Sequence, residues 1–209
     1  AGFYNRLVSM DIPPVFAGVP GQKIGTLVIH EAEAGRLKEG QILVLELPAG
    51  AKWGKLAADR GDNLAVSGSV SDGGRTAKFR FSGESVTATV LELKGMEVVL
   101  EPGPTGWLKV KVSGSAGLAG ELTVAKITNP AAVFTIGRAQ YEINGVNDTM
   151  DAPPYIKSDR LYLPVRYIAR AAGVTDDNIT WDQDEMNIAI TKDDRTIRLV
   201  IGSETMYVD

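Results

Sequence analysis

Cysteine is absent from this chain of 209 residues, and histidine occurs only once, as His30. The lack of cysteine excludes disulfides, thiolate metal ligands and a cysteine nucleophile. One imidazole cannot build the histidine clusters on which many metalloenzymes depend. These two counts exclude most metalloenzymes and most hydrolases with a catalytic triad. We expect His30 itself to be a surface or hydrogen-bonded residue at a strand end.

Long hydrophobic runs are missing as well, because no apolar stretch approaches the ~18 residues of a membrane-spanning helix. Hydrophobic residues make up 44% of the chain and charged residues 23%, which is typical of a globular protein. The net charge of −4 disfavours a nucleic-acid partner, since binding to phosphates needs a basic surface. We therefore predict no membrane span and no nucleic-acid partner.

Sequence motifs of catalysis are also absent: there is no G-x-S-x-G, no P-loop and no dinucleotide fingerprint. The carboxylate pair Glu31 and Glu33 is predicted to be a solvated surface pair rather than an acid–base pair. We accordingly predict no catalytic residues, no resident metal and no cofactor.

A change in composition near residue 128 predicts two domains, 1–128 and 129–209. The first domain has 14 basic and 13 acidic residues, and most of its basic residues are lysines. The second domain has 8 basic and 13 acidic residues, and most of its basic residues are arginines. Pro130 favours an extended junction at this point. We expect limited proteolysis between Thr128 and Ala132 to release a fragment of about 80 residues.

The first domain is predicted to be an all-β antiparallel sandwich. Its seven or more short apolar segments are separated by Gly-rich and Pro-rich turns. Residues 76–81 alternate strictly, with Ala77, Phe79 and Phe81 on one face, as in a half-buried strand.

The second domain is predicted to be α+β, an antiparallel sheet packed on a single helix in the order β-β-β-α-β-β-β-β. Asn144-Gly145 predicts a tight turn. Pro164 opens a helix that Gly173 ends, and Ile168 lies at the centre of its apolar face. We expect Ile168 to be buried beneath the sheet.

Several motifs in this second domain identify a resemblance: Met150–Ile156 (MDAPPYI), Asp159-Arg160, Leu163–Ala169 (LPVRYIA), Gly173 and Trp181-Asp182. Together they resemble the copper amine oxidase N-terminal-like domain, also called the stalk domain. The resemblance implies a twisted sheet around one helix, in exported proteins of Gram-positive bacteria and outside the catalytic part of the oxidase. Arg170 departs from the family, which usually has Glu there.

Residues 29–53 of the first domain resemble, less specifically, a β-sandwich module that precedes stalk-type domains in Gram-positive surface proteins.

An internal repeat also occurs at an offset of 65 residues, aligning Phe134–Gly137 with Leu199–Gly202 and Asn144 with Asp209. We therefore expect the second domain to be truncated at Asp209 and its natural sequence to continue with glycine.

Two clusters of charged residues have alternative interpretations. The oxygen-rich set is typical of turns but is also a candidate for a Ca²⁺ site: Asp176, Asp177, Asn178, Asp182 and Asp184. The arginine set is either an anion patch or a set of structural partners, with Arg166 paired to Asp151 or Asp182: Arg160, Arg166 and Arg170.

Aromatic residues offer a possible ligand platform at Trp53 and Trp107, although such side chains more often pack in cores or at edges.

The leading hypothesis is a non-catalytic module of a secreted or cell-surface protein that serves spacing, display or adhesion, with other surface proteins as possible partners. The alternative is a module that binds cell-wall or extracellular polysaccharide. A fragment of an amine oxidase is the weakest hypothesis, because no Asn-Tyr dipeptide, the precursor context of the quinone, is present.

Overall fold

The computed structural model describes residues 4–103 and 105–209, and it is mostly β, with one short α-helix among those residues and several antiparallel sheets. The chain divides into two compact units, Ala1–Asn129 (unit 1) and Pro130–Asp209 (unit 2). Each unit is described by itself below.

Among its described residues, unit 1 contains strands and one 3₁₀ turn at Asp72–Gly74. The strands are β1 Arg6–Ser9, β2 Pro14–Phe16, β3 Gln22–Lys23, β4 Leu27–His30, β5 Ile42–Glu46, β6 Ala51–Trp53, β7 Ala58–Gly61, β8 Leu64–Ser71, β9 Thr76–Gly83, β10 Val90–Leu93, β11 Glu97–Leu100, β12 Gly106–Gly114 and β13 Gly120–Thr128.

These strands form a seven-stranded sheet, β2-β13-β12-β5-β9-β8-β7, and two three-stranded sheets, β1-β4-β10 and β3-β11-β6. Each pairing between these strands is antiparallel except that of β2 with β13, which is parallel. All three sheets contribute side chains to one hydrophobic core, among them Phe79 of β9, Leu91 of β10 and Val98 of β11. Burial of these apolar side chains is what holds the sheets together.

The predicted alternation in β9 is confirmed. Ala77, Phe79 and Phe81 are fully buried, while Lys78 and Arg80 between them are exposed. Successive side chains of a strand point to opposite faces, so this segment can bury three residues without burying a charge.

Unit 2 contains nine strands, one α-helix and a 3₁₀ turn at Asp176–Asn178 among its residues. They are β14 Ala132–Phe134, β15 Gln140–Ile143, β16 Val146–Thr149, β17 Tyr155–Lys157, β18 Arg160–Tyr162, α1 Val165–Ala171, β19 Ile179–Asp182, β20 Asn187–Lys192, β21 Arg195–Val200 and β22 Met206–Val208. The sheets are β14-β15-β16, the pair β17-β18, and β19-β20-β21-β22.

The order of elements in unit 2 corrects the prediction, because five strands rather than three precede the helix. The two additional strands are β16 and β17. Because all their side chains are exposed, their sequences need no alternation of apolar and polar residues, and they show none. The predicted turn is confirmed: Asn144 (φ 53°) and Gly145 (φ 82°) connect β15 to β16 with positive φ angles, as a two-residue hairpin turn requires.

The predicted burial of Ile168 is wrong, since 47% of this residue is exposed. The helix buries Tyr167 and Ala169 instead, and Tyr167 packs with Tyr141 and Met150. Ile168 lines an open groove of about 580 Å³ between the helix and strands β20 to β22, and Leu199 and Met206 lie on the opposite wall. The apolar face that the period predicts exists, but it lines this open groove, and the ring of Tyr167 fills the core instead.

This correction changes the expected effect of Ile168→Ala. Because the side chain is half exposed, we expect the free energy of unfolding of unit 2 to fall by only about 1 kcal/mol or less. Urea unfolding followed by unit 2 amide signals measures this. A loss of several kcal/mol would show that Ile168 is packed as the sequence pattern predicts.

Candidate functional site

An exposed tryptophan lies on the edge of a small cavity in unit 1. Trp107 of β12 is 59% exposed and pairs across the strands with Lys126 of β13. The Lys126 ammonium lies 5.7 Å from the centre of the indole ring, within cation–π range. The neighbouring Leu108 is fully buried, so alternation along β12 directs the indole outward.

The cavity beside Trp107 has a volume of about 310 Å³, at the lower end of the range for small-molecule sites. Its walls combine apolar groups with the side chains of Glu101 and Thr105. The Glu101 amide donates to the Gly50 carbonyl at 2.8 Å, which ties the two loops of the cavity together. An aromatic face with a carboxylate and a hydroxyl nearby can hold a ring that has one apolar face and polar substituents.

Trp53 does not belong to this platform, which corrects the pairing predicted for the two tryptophans. It is 5% exposed, lies in the core of unit 1, and donates its indole N–H to the Leu45 carbonyl at 3.2 Å. Its strand β6 places it opposite Val98 of β11, and both side chains are buried. Trp107 is therefore the one member of the predicted pair that a ligand could reach.

A charged cluster in unit 2 is centred on Arg170 of α1. Its guanidinium makes a bidentate pair with Asp176, at 2.7 Å from Nε to Oδ1 and 2.6 Å from Nη2 to Oδ2. Nη1 also donates to the Tyr141 hydroxyl at 3.3 Å, and that hydroxyl donates to Asp148 at 3.0 Å. The helix, the β15–β16 hairpin and the 3₁₀ turn are thereby joined through one side chain.

The arginine set of the sequence therefore contains one structural partner. Arg170 makes the ion pairs, whereas Arg160 and Arg166 are exposed and form no ion pair with any described residue. The pairing predicted for Arg166 with Asp151 or Asp182 is wrong. Arg170 is also the position that departs from the resembling family, and Asp176 is the carboxylate that neutralises it.

The electrostatics of the cluster follow from these contacts. The hydrogen bonds from Arg170 hold the pKa of Asp176 below its ordinary value of 3.8. The Thr149 amide, followed by the Tyr141 hydroxyl, lowers the pKa of Asp148. Burial raises the pKa of the Tyr141 phenol, and the hydrogen bonds to Asp176 raise the pKa of Arg170. The shifts of Arg170, Asp148 and Asp176 keep these three groups charged at neutral pH, and the shift of Tyr141 keeps its phenol neutral.

These shifts predict an acid-labile unit 2. A carboxylate whose pKa is lower in the folded state stabilises the fold above its unfolded pKa, and this stabilisation is lost as pH falls. We expect the stability of unit 2 to decline below about pH 4 and the Arg170→Gln variant to show a weaker decline. Urea unfolding of unit 2 between pH 7 and pH 2.5 measures both.

Arg166→Gln is the matched control, since it removes one positive charge from the same helix without removing a hydrogen bond. It should keep most of the acid-dependent decline of the unsubstituted chain, because the charge of Arg166 is the smallest of the causes that lower the pKa of Asp176. An equal loss of acid dependence in the two variants would show that general charge, rather than the Arg170 contacts, causes the effect.

The four aspartates considered for a cation are not gathered into one site. Asp176 is engaged by Arg170, and Asp182 accepts the amides of Asp184 and Glu185 at 3.0 Å each, as turn residues do. Asp177 lies in the 3₁₀ turn. Across residues 4–103 and 105–209, no three His, Asp or Glu side chains are placed to share a metal ion.

The prediction of a solvated carboxylate pair is wrong for Glu31, whose side chain is buried. Glu31 is 6% exposed, whereas Glu33 is exposed and pairs with Arg36 at 3.2 Å. Glu31 accepts the Leu37 amide at 2.9 Å, the Ser85 hydroxyl at 2.6 Å and the Thr89 amide at 3.1 Å. Three donors from two loops make it a structural anchor, and the spacing of the acids carries no signal of this.

His30 lies at the end of β4, opposite Arg6 and Val90 in register, and is partly buried. None of the described helices is long and apolar enough to cross a membrane.

Comparison with known proteins gives a family match over part of unit 2 and distant similarities to solved structures. No curated protein matches this chain. A crystal structure of a DUF4466 family protein from Parabacteroides merdae aligns with 12% identity over 96% of this chain and 66% of that chain, at a TM-score of 0.29. This chain thus spans slightly less than two thirds of that protein. The resemblance seen in unit 2 is confirmed: residues 134–209 match the family model of the copper amine oxidase N-terminal domain.

Proposed function

We propose that this chain is a non-catalytic module of an exported or cell-surface bacterial protein, serving spacing, display or adhesion. The observation that carries this proposal is the match of residues 134–209 to the copper amine oxidase N-terminal domain. In this proposal the three sheets of unit 1 form the two layers of a sandwich and unit 2 is a sheet wrapped on α1.

The side chains of unit 2 support a structural role. Arg170, Asp176, Asp148 and Tyr141 satisfy one another, so this polar cluster holds elements together rather than presenting free groups to a substrate. Copper(II) favours imidazole nitrogen ligands, and the chain supplies a single imidazole, His30, in unit 1. The family name therefore transfers a fold rather than a chemistry.

The absence of oxidase activity is tested directly. The purified chain is incubated with Cu(II) in air, dialysed, and assayed for peroxide production from several primary amines. We expect copper to be lost on dialysis and no amine-dependent peroxide or quinone absorption to appear. Stoichiometric retained copper together with peroxide would overturn the non-catalytic assignment.

The location is tested on intact cells of the bacterium that carries the gene. An antibody to unit 1 should label unbroken cells or detect the protein in the medium, and an antibody to a cytoplasmic enzyme serves as the control. Labelling only after lysis would contradict an exported or surface role.

A second candidate function, glycan binding, is favoured by the exposed Trp107 beside its cavity. We propose that a sugar ring stacks on the indole while Glu101 and Thr105 bind its hydroxyl groups. Binding of purified wall or extracellular polysaccharide is measured by calorimetry. Trp107→Ala should abolish it, whereas Trp181→Ala, a change at a half-exposed tryptophan of unit 2, should not. Absence of binding by the unsubstituted chain would exclude this function for those glycans.

A further inference from the structure

Two hairpins of unit 2 have the same strand register at an offset of 65 residues. In the first hairpin, β14 pairs with β15 through Ala132–Ile143, Val133–Glu142 and Phe134–Tyr141. Adding 65 to each number gives the three pairs of β21 with β22: Ile197–Val208, Arg198–Tyr207 and Leu199–Met206. The repeat suggested by the sequence is therefore also a repeat of backbone pairing.

The hydrogen bonds at the ends of the two hairpins agree as well. The Asn144 amide donates to the Ala131 carbonyl at 2.8 Å, and the Asp209 amide donates to the Thr196 carbonyl at 3.0 Å. Hydrogen-bonded and non-hydrogen-bonded pairs alternate along an antiparallel ladder. The backbone groups of Met206 and Val208 consequently point away from β21, as those of Tyr141 and Ile143 point away from β14.

The two hairpins differ in what lies on that outer side. β15 has a third strand there: Tyr141 pairs with Asp148 of β16, and Ile143 pairs with Val146. β22 is the last strand of its sheet, and no described strand pairs with its outer edge. The outward N–H and C=O groups of Met206 and Val208 thus occupy the positions that β16 satisfies in the first hairpin.

The edge of β22 also lacks the features that usually protect an edge strand. Met206, Tyr207 and Val208 are each more than half exposed, and residues 205–208 include no charge and no proline. By contrast, the edge strand β16 has a charged residue, Asp148. An unprotected apolar edge is a template for pairing with another strand.

We propose that the outer edge of β22 is an acceptor site for one antiparallel strand of the β16 type. The matching segment begins with glycine in a two-residue turn and has the pattern of Gly145–Met150. In the first hairpin this turn has positive φ at Asn144 and Gly145, and Asp-Gly is equally suited to it. The backbone of the occupant would form hydrogen bonds with the backbone of Met206 and Val208. Its methionine, the counterpart of Met150, would lie beside Met206, as Met150 lies beside Tyr141 in the first hairpin. This inference does not depend on the proposed surface role.

The test appends a copy of Gly145–Asp151 directly after Asp209, so that the strand is held at high effective concentration. Amide hydrogen exchange is then measured by NMR. We expect exchange at Met206 and Val208 to slow about tenfold or more relative to the unextended chain. The control extension has proline at the positions copied from Val146 and Asp148, which removes the two N–H donors and should give no slowing.

Tyr207 is the internal reference, because its amide points toward β21 and should be protected in every version. Unchanged exchange at Met206 and Val208 in the extended chain, with Tyr207 protected, would overturn the proposal. Protection of Met206 and Val208 in the unextended chain that increases with protein concentration would also contradict it, since a second copy would then occupy the edge.

Discussion

Phe79→Ala is expected to lower the free energy of unfolding of unit 1 by about 3–5 kcal/mol, the usual cost of removing a large buried ring. Phe79 is fully buried in β9, with Leu43 of β5 beside it on one side and Gly68 of β8 on the other. The ring lies over Gly68: a Cβ at residue 68 would come within 2.6 Å of Phe79 Cε1. Urea unfolding followed by the amide signals of unit 1 measures the loss.

Gly68 provides a double-mutant cycle for the same contact. Gly68→Ala alone should cost about 1–3 kcal/mol, because the added methyl group displaces the Phe79 ring. In the Phe79→Ala background the ring is gone and the added methyl group still meets the flexible end of Leu56, whose Cδ1 lies 3.0 Å from it. Gly68→Ala should therefore cost less than in the unsubstituted chain, by about 1 kcal/mol or more. Equal costs in both backgrounds would show that the ring does not lie over this glycine.

Glu31→Ala is expected to lower the free energy of unfolding of unit 1 by about 3 kcal/mol. The substitution leaves the amides of Leu37 and Thr89 and the hydroxyl of Ser85 without their acceptor in a buried site. Glu31→Gln should cost less, about 1–2 kcal/mol, because one acceptor oxygen remains. The measurement is again urea unfolding of unit 1.

The matched control lies two residues away. Glu33→Ala removes the same side chain from an exposed pair with Arg36, and such pairs contribute about 0.5 kcal/mol or less. Similar losses from Glu31→Ala and Glu33→Ala would contradict the burial and the three hydrogen bonds assigned to Glu31.

The sequence predicted those features of the fold that depend on local pattern. The alternation over residues 76–81 predicted which side chains β9 buries, and Asn144-Gly145 predicted the turn into β16. Strand β8 was not predicted, because its second half, residues 67–71, consists mainly of serine and glycine. It is a strand through its pairing with β9, and Gly68 is needed there by the Phe79 ring.

The candidate site was less predictable, because it depends on contacts between distant segments. Nothing in the sequence around Trp53 and Trp107 tells which of the two is buried. Pairing with a partner strand and the hydrogen bond to the Leu45 carbonyl place Trp53 in the core, whereas Trp107 lies at the surface. Ile168 follows the apolar period of its helix, yet Tyr167 fills the core because Tyr141 lies 26 residues earlier and stacks edge-on against it. Glu31 is buried by loops whose donors lie up to 58 residues away.

The parallel pairing of β2 with β13 has a mechanical consequence. These strands lie near the two ends of unit 1, with Val15 beside Ile127 and Phe16 beside Thr128. Because the strands run in the same direction, tension that pulls β2 toward the amino terminus and β13 toward the carboxyl terminus acts along both strands in opposite senses. The hydrogen bonds between them, including that from the Lys126 amide to the Pro13 carbonyl at 2.9 Å, are then loaded together in shear rather than broken one after another. This pair would be the part of unit 1 that resists stretching.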